Sequence, residues 1–236
     1  MFTRLQKAGI KVNTSKSCFG AHKFYYLGYH VTCEGVMPIP KKVEAIQALA
    51  VPKTCKQLHQ FIGMINFYRD MWQKRSELLA PLAALTSKYV KYDWKDEHQN
   101  CFEAIKRVIG CELLLGYPDF NASFEIHTDA SKLQLGAVIS QKGKPIAFYS
   151  IKMNSTQQNY TTTEKELLSI VETLKEFRNI LLGHQITVYT YHKNLTYKHF
   201  NTERVMRWRL ILEEFGPELK YIKGEWKLSR SFVIFY

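Results

Sequence analysis

The chain has 236 residues, 46% of them hydrophobic and 14% aromatic, enough to bury one large core or two modest ones and too apolar for a disordered polymer. Its formal net charge is +12 and evenly spread, with 17 Lys and Arg against 10 Asp and Glu in residues 1–119 and 16 against 11 in residues 120–236. Five cysteines without a C-x-x-C pair argue against a zinc site and a disulfide framework, and no apolar run approaches the ~20 residues of a membrane span.

Residues 1–40 read as a small β-rich segment. KFYYLGYHV (23–31) is aromatic with Gly28 inside it, and TCEGVMPIP supplies a glycine turn followed by Pro38 and Pro40. So few residues must pack on something else. Residues 41–119 read as helical. KKVEAIQALA gives way at Val51-Pro52, and TCKQLHQFIGMINFYRDMWQ (54–73) sets Leu58, Phe61, Ile62, Ile65, Tyr68 and Trp72 on one stripe behind Thr54 as N-cap. SELLAPLAALTS (76–87) is a shorter helical piece, and DEHQNCFEAIKRVIG (96–110) an amphipathic helix closing at Gly110.

From residue 120 the texture changes. SFEIHTDAS (123–131), GAVISQ (136–141) and KPIAFYSI (144–151) are short strands joined by tight turns, an antiparallel meander. TTTEKELLSIVETLKEFRNILLG (161–183) predicts one long helix with a Thr161–Glu164 capping box and Gly183 as its end. A strand at 185–191, a helix at 202–216 and a strand at 218–224 follow. The order β-β-β-α-β-α-β, with a right-handed crossover through the long helix, sets the fourth strand parallel to the first. The expected fold is mixed α/β.

That arrangement gathers candidate chemistry at one end of the sheet. Asp129 ends the first strand, Glu166 stands in the long helix on the edge of its apolar stripe, and residue 191 falls level with Asp129. Clustered carboxylates suit Mg²⁺, and paired ions serve phosphodiester cleavage. On the residues alone each has an ordinary reading, Asp129 as a turn residue and Glu166 as a surface residue favoured by the helix dipole.

The stretch from HTDAS through LGAVISQ and KPIAFYSIKMNSTQQNYTTTEKELLSIVETLKEFRNILLGHQITVYTYHKNLTY closely resembles the RNase H domain of gypsy-type LTR retrotransposon polyproteins, and RVMRWRLILEEFGPELKYIKGE continues the match. KSCFGAHKFYYLGYHVTCEGVMPIPKKVEAI resembles the end of the same family's reverse transcriptase palm, and TCKQLHQFIGMINFYRDMW the thumb helix after it. The resemblance implies a palm remnant (1–40), a helical thumb and connection (41–119) and an RNase H-like domain with a five-stranded mixed sheet (120–236). It implies hydrolysis of the RNA strand of RNA–DNA hybrids with two Mg²⁺ (or Mn²⁺) ions, Asp129 and Glu166 being the first two metal carboxylates. The polymerase motif with paired aspartates is absent from this chain.

Two departures stand out. The family's third carboxylate is the Asp of a T-D-H sequence, and this chain reads Thr190-Tyr191-His192. The fourth belongs to an A-D-x-L-S-R sequence, and here KGEW (223–226) passes through Lys227 straight into Leu228-Ser229-Arg230. A phenol ordinarily ionises near pH ~10 and is a poor Mg²⁺ ligand beside a carboxylate. Impaired or absent catalysis is therefore expected.

The partner expected is nucleic acid, an RNA–DNA hybrid, with no membrane and no small-molecule cofactor. Lys193, Lys198, Arg204, Arg207 and Arg209 are candidate phosphate contacts near the site, and Lys56, Lys74 and Arg75 on the helical part. Tyr160 and Trp208 could stack on bases, although packing in the core is the commoner role. His127 and His192 flank the site as proton carriers or as pairing residues. A non-catalytic nucleic-acid-binding remnant, or a host protein reusing the fold, are the alternatives. The opening MFTRLQKAGIKV, charged from its fourth residue, predicts no signal peptide and an intracellular setting, cytoplasmic or nuclear. The tail SRSFVIFY (229–236) departs from the family and reads as a frameshifted end, with a small docking segment as the alternative.

Overall fold

A computed structural model describes residues 2–111, 114–191 and 203–222. After helix α1 (Phe2–Lys7), strands β1 (Lys23–Tyr26), β2 (Tyr29–Thr32) and β3 (Val36–Pro38) form an antiparallel sheet in that order. The β1–β2 turn needs its glycine twice over. Leu27 and Gly28 both have positive φ, 45° and 86°, the geometry of tight hairpins, and a Cβ on Gly28 would lie 2.7 Å from the Phe67 ring.

Helices α2 (Pro40–Gln47), α3 (Cys55–Asn66), α4 (Arg75–Ala84) and α5 (Asp96–Gly110) follow. Thr54 caps α3 as expected, its hydroxyl accepting from the Gln57 N–H at 3.3 Å. The helix does not run to residue 73. It ends at Asn66 and the chain continues as a 3-10 turn at Arg69–Met71. Tyr68, at φ −101° and ψ 25°, has left the helix; its hydroxyl donates to the Gly28 carbonyl at 3.1 Å, so tertiary packing overrides the helical period. Leu58, Phe61, Ile65, Tyr68 and Trp72 of the expected stripe are nonetheless all buried. Gly110 is the last residue of α5 and is followed by extended Cys111, so no left-handed glycine closes that helix. β3 is tied back to the segment beyond α5 by a bridge between Val36 and Leu115.

The remaining elements are β4 (Phe124–Ala130), β5 (Gln134–Gln141), β6 (Lys144–Lys152), α6 (Ser155–Gln158), α7 (Thr162–Glu176), α8 (Arg178–Leu181), β7 (Ile186–Thr190), α9 (Glu203–Phe215) and β8 (Glu218–Tyr221). The sheet order is β6-β5-β4-β7-β8. β4, β5 and β6 pair antiparallel, while β7 runs parallel to both β4 and β8. This is the expected five-stranded mixed sheet. The long helix is interrupted, however: Phe177, at φ −102° and ψ 26°, separates α7 from α8 because its ring is buried in the core beside Tyr149.

Two cores result. One lies between the sheet and α7, α8 and α9, with Phe124, Ile126, Ile186 and Val188 facing Leu167, Ile170, Val171 and Leu174. The other gathers α2 to α5, and Val138 of β5 and Phe148 of β6 belong to it. The helical segment thus covers the second face of the sheet at its β5–β6 side. Among the described residues no helix is long and apolar enough to cross a membrane.

Candidate functional site

The first and fourth strands of the sheet meet where the sequence places them. Parallel pairing of β4 with β7 sets Phe124 beside Ile186 and His127 beside Tyr189. The same offset carried two residues further sets Tyr191, the first residue after β7, beside Asp129. Alternation along β4 buries Phe124, Ile126 and Thr128 completely and leaves Asp129 exposed at the strand end.

Helix α7 brings the second carboxylate. Its start is fixed by the capping box, in which Glu164 N–H donates to the Thr161 hydroxyl at 3.2 Å and Thr161 N–H donates to the Glu164 carboxylate at 2.9 Å. With Glu164 so engaged, Glu166 falls on the buried face at 3% exposure, and its Oε1 accepts from the Ala130 N–H at 3.3 Å. Burial pushes the Glu166 carboxyl up to about 8; the Asp129 charge adds to the rise and the Ala130 N–H opposes it. Two carboxyl groups therefore share a site in which one resists ionisation, an environment that favours a cation. One turn further, the Ser169 hydroxyl donates to the Gly136 carbonyl at 2.9 Å and pins α7 across β5. Sequence reading passed over Ser169, although its three-residue spacing from Glu166 places it on the same helix face.

As donors for a divalent ion, Asp129 and Glu166 have the oxygen chemistry that Mg²⁺ or Mn²⁺ requires. Among the described residues, no group of three or more His, Cys, Asp or Glu could hold a metal ion. The carboxylate pair therefore fits such an ion in part, and Tyr191 supplies no third carboxylate.

The candidate basic and aromatic residues divide by partner. Arg204 makes an ion pair with Glu164 at 2.7 Å, and its guanidinium lies 3.8 Å from the centre of the Tyr160 ring and 5.8 Å from that of Trp208. Burial alone would raise the Glu164 carboxyl, but Arg204 and the Thr161 N–H outweigh it and hold the group low. Arg204 thus clamps α9 onto the start of α7, and Tyr160 and Trp208 pack against the core. Arg207 is exposed and reaches Glu203 at 3.8 Å, while Arg209 is half-buried on α9. Lys56 and Lys74 are exposed. Arg75 instead donates to Asn66 Oδ1 at 2.7 Å and to the Ser150 carbonyl at 2.8 Å, docking α4 on β6. His127 stacks on Tyr189 with ring centres 4.7 Å apart, and burial lowers its pKa against an opposing pull from Glu125. Its ring packs against Tyr189, and its burial disfavours the charged form. His192, Lys193, Lys198, the KGEW segment and the tail lie outside the described residues. An apolar groove of about 750 Å³ between α2 and α3, bordered by Lys42, Ile46, Met64 and Phe67, includes none of the carboxylate-pair residues.

Residues 94–188 match the family model of the RNase H-like domain found in reverse transcriptase. Over 95% of its length the chain is 37% identical to a retrovirus-related Pol polyprotein from transposon 297 of Drosophila melanogaster, of which it covers 22%. It is 32% identical, over 94% of its length, to the transposon Tf2-3 polyprotein of Schizosaccharomyces pombe, of which it covers 18%. The chain thus spans about a fifth of the length of these curated relatives. Among solved structures, the foamy viral protease-reverse transcriptase in complex with RNA/DNA hybrid matches with a TM-score of 0.79 and 27% identity over 94% of this chain and 32% of that one. The same viral protein in complex with double-stranded DNA matches with a TM-score of 0.78, at 26% identity over 94% of this chain and 49% of that one.

Proposed function

From the premise that this chain belongs to the reverse transcriptase and RNase H region of retrotransposon Pol polyproteins, we propose that it binds RNA–DNA hybrids and hydrolyses them poorly or not at all. Binding is supported by the evenly spread charge of +12 and by the foamy viral relative's complex with RNA/DNA hybrid. Loss of hydrolysis is carried by one observation, the β4–β7 register ending at His127 and Tyr189, which carried two residues further brings Tyr191 level with Asp129.

Asp129 and Glu166 would hold Mg²⁺ or Mn²⁺ by oxygen. When bound, such an ion supplies positive charge to the scissile phosphate and acidifies a water. The rest falls to the chain. Asp129 stands at the solvent edge, where a phosphate can reach it. Glu166 is oriented by the Ala130 N–H and by its place in α7. Tyr191 brings a phenol where the family has an aspartate, so the carboxylate set needed to fix two ions is short by one at this position. Substrate would be held with its scissile phosphate beside a centre too weakly charged to turn it over.

The test is a hybrid with a fluorescent RNA strand, incubated with the full chain in Mg²⁺ or Mn²⁺ and followed by gel and by anisotropy. The RNA should stay intact while anisotropy reports binding that weakens as salt rises. Tyr191→Asp should raise cleavage above the wild-type level. Wild-type cleavage that disappears in Asp129→Asn would overturn the loss of hydrolysis, and failure to bind hybrid at low salt would overturn the binding.

A further inference from the structure

The segment TSKYVKYDWK (86–95), which joins α4 to α5, contains three lysines, one aspartate and three aromatic residues. The aromatics are used in two different ways. Tyr92 and Trp94 anchor the segment: the Tyr92 hydroxyl donates to the Pro52 carbonyl at 2.6 Å, Trp94 Nε1 donates to Gln99 Oε1 at 3.0 Å, and both rings pack against the second core. At the other end Leu85 is buried, and the Thr86 hydroxyl donates to the Ala83 carbonyl at 2.7 Å. Between these anchors a turn closes where Val90 N–H donates to the Ser87 carbonyl at 3.2 Å. Tyr89 stands on that turn with 98% of its surface in solvent, and Val90 beside it is 48% exposed.

The lysines divide in the same way. Lys95 pairs with Asp93 at 3.5 Å, whereas neither Lys88 nor Lys91, both exposed, has a carboxylate partner within 4.0 Å among the described residues. A fully exposed ring between two uncompensated cations, on a loop held at both ends, has no packing role. It offers both faces of a phenol for stacking and two charges for phosphates. Stacking needs the face of a base, which a duplex hides and a single strand exposes. Because the loop is already anchored, little ordering entropy opposes such a contact.

We infer that the α4–α5 loop is a contact for single-stranded nucleic acid, with Tyr89 stacking on an unpaired base and Lys88 and Lys91 meeting the adjacent phosphates. The contact is separate from the carboxylate pair and does not depend on hydrolysis or on hybrid binding.

The experiment is anisotropy of the full chain with a labelled oligothymidylate of about 20 nucleotides and, in parallel, a blunt RNA–DNA hybrid of the same length, at about 50 mM salt and above. Tyr89→Ala should weaken single-strand binding about tenfold and leave the blunt hybrid within about twofold, while Tyr89→Phe keeps wild-type affinity on both. Lys88→Gln with Lys91→Gln should flatten the single-strand salt slope by roughly 1.4, two phosphate contacts' worth. Tyr89 is so exposed that its truncation leaves folding intact, and a thermal melt checks this. No single-strand binding by the wild type, an effect of Tyr89→Ala below about twofold, or an equal loss on the blunt hybrid would each overturn the assignment. Wild-type failure on the hybrid alone sinks the proposed hybrid binding and leaves this contact standing.

Discussion

Glu166 is the residue on which charge and folding bear most directly against each other. Its carboxyl is pushed up to about 8 from an ordinary 4.5, by burial first and by Asp129 second. A raised carboxyl favours the folded state fully below its unfolded value, and that contribution drains away as pH climbs from 4.5 through about 8. Glu166→Gln keeps the shape and cannot ionise. In EDTA, the variant should therefore gain on the wild type as pH rises from about 5 to about 8 and gain nothing further above that. At ~1.4 kcal/mol per unit the gain amounts to a few kcal/mol at most. Urea midpoints at about pH 5, 6.5 and 8.5 measure it. A difference between the two proteins that stays flat over this range would mean that Glu166 is solvated. Tyr191 poses the converse case: its identity is plain in the sequence, and the β4–β7 register, carried two residues past His127 and Tyr189, brings it level with Asp129.

At the scale of elements, the helix ends separate what local pattern can say from what packing imposes. The Thr54 cap and the Thr161–Glu164 box are written in adjacent residues and form as read. The stops at Asn66 and Glu176 are not, because neither break has a glycine or proline and the apolar spacing continues through both. Tyr68 and Phe177 leave the helix because their rings are buried against distant strands. Arg75 teaches the same lesson. As sequence it is one more cation for phosphate, yet it joins the start of α4 to Asn66 and to the Ser150 carbonyl, next to the bond between Ser76 N–H and the Ser150 hydroxyl at 3.0 Å. Arg75→Ala should cost on the order of 2 kcal/mol in a urea titration, since it leaves a carbonyl and an amide without a charged donor. Arg75→Lys should recover little of this, because an ammonium lacks the fork that reaches both acceptors. Full recovery by lysine would show that charge alone matters at this joint.

At the scale of the molecule, the helical segment and the sheet are joined by more than their linker. Val138 and Phe148 belong to the helical core, Arg69 pairs with Glu176 at 2.7 Å, and Gln134 donates to Glu77 at 3.0 Å. The exposed ion pair adds little, and the apolar contact carries most of the coupling. Phe148→Ala should cost ~3–5 kcal/mol and lower the melting of both parts together. Far-ultraviolet circular dichroism follows the whole chain, and in a Trp208→Phe, Trp226→Phe variant tryptophan fluorescence reports Trp72 and Trp94 of the helical core. Coincident transitions by the two probes are expected. Two separated transitions with Phe148 intact would mean that the sheet and the helices unfold independently.

The sequence by itself determined the order of the sheet strands, their directions and the N-terminal caps at Thr54 and Thr161, because alternation, helical spacing and capping are local and survive in a linear text. Only the tertiary structure decided which cations are spent and which remain available. Arg204 and Arg75 look like Lys88 and Lys91 in a string of letters, but the first two are consumed by partners 40 and 75 residues away. It also decided that Glu166 is buried enough to resist its charge, and that the second face of the sheet is covered by the helices before it. Burial and pairing across such distances depend on packing, and no local pattern records them.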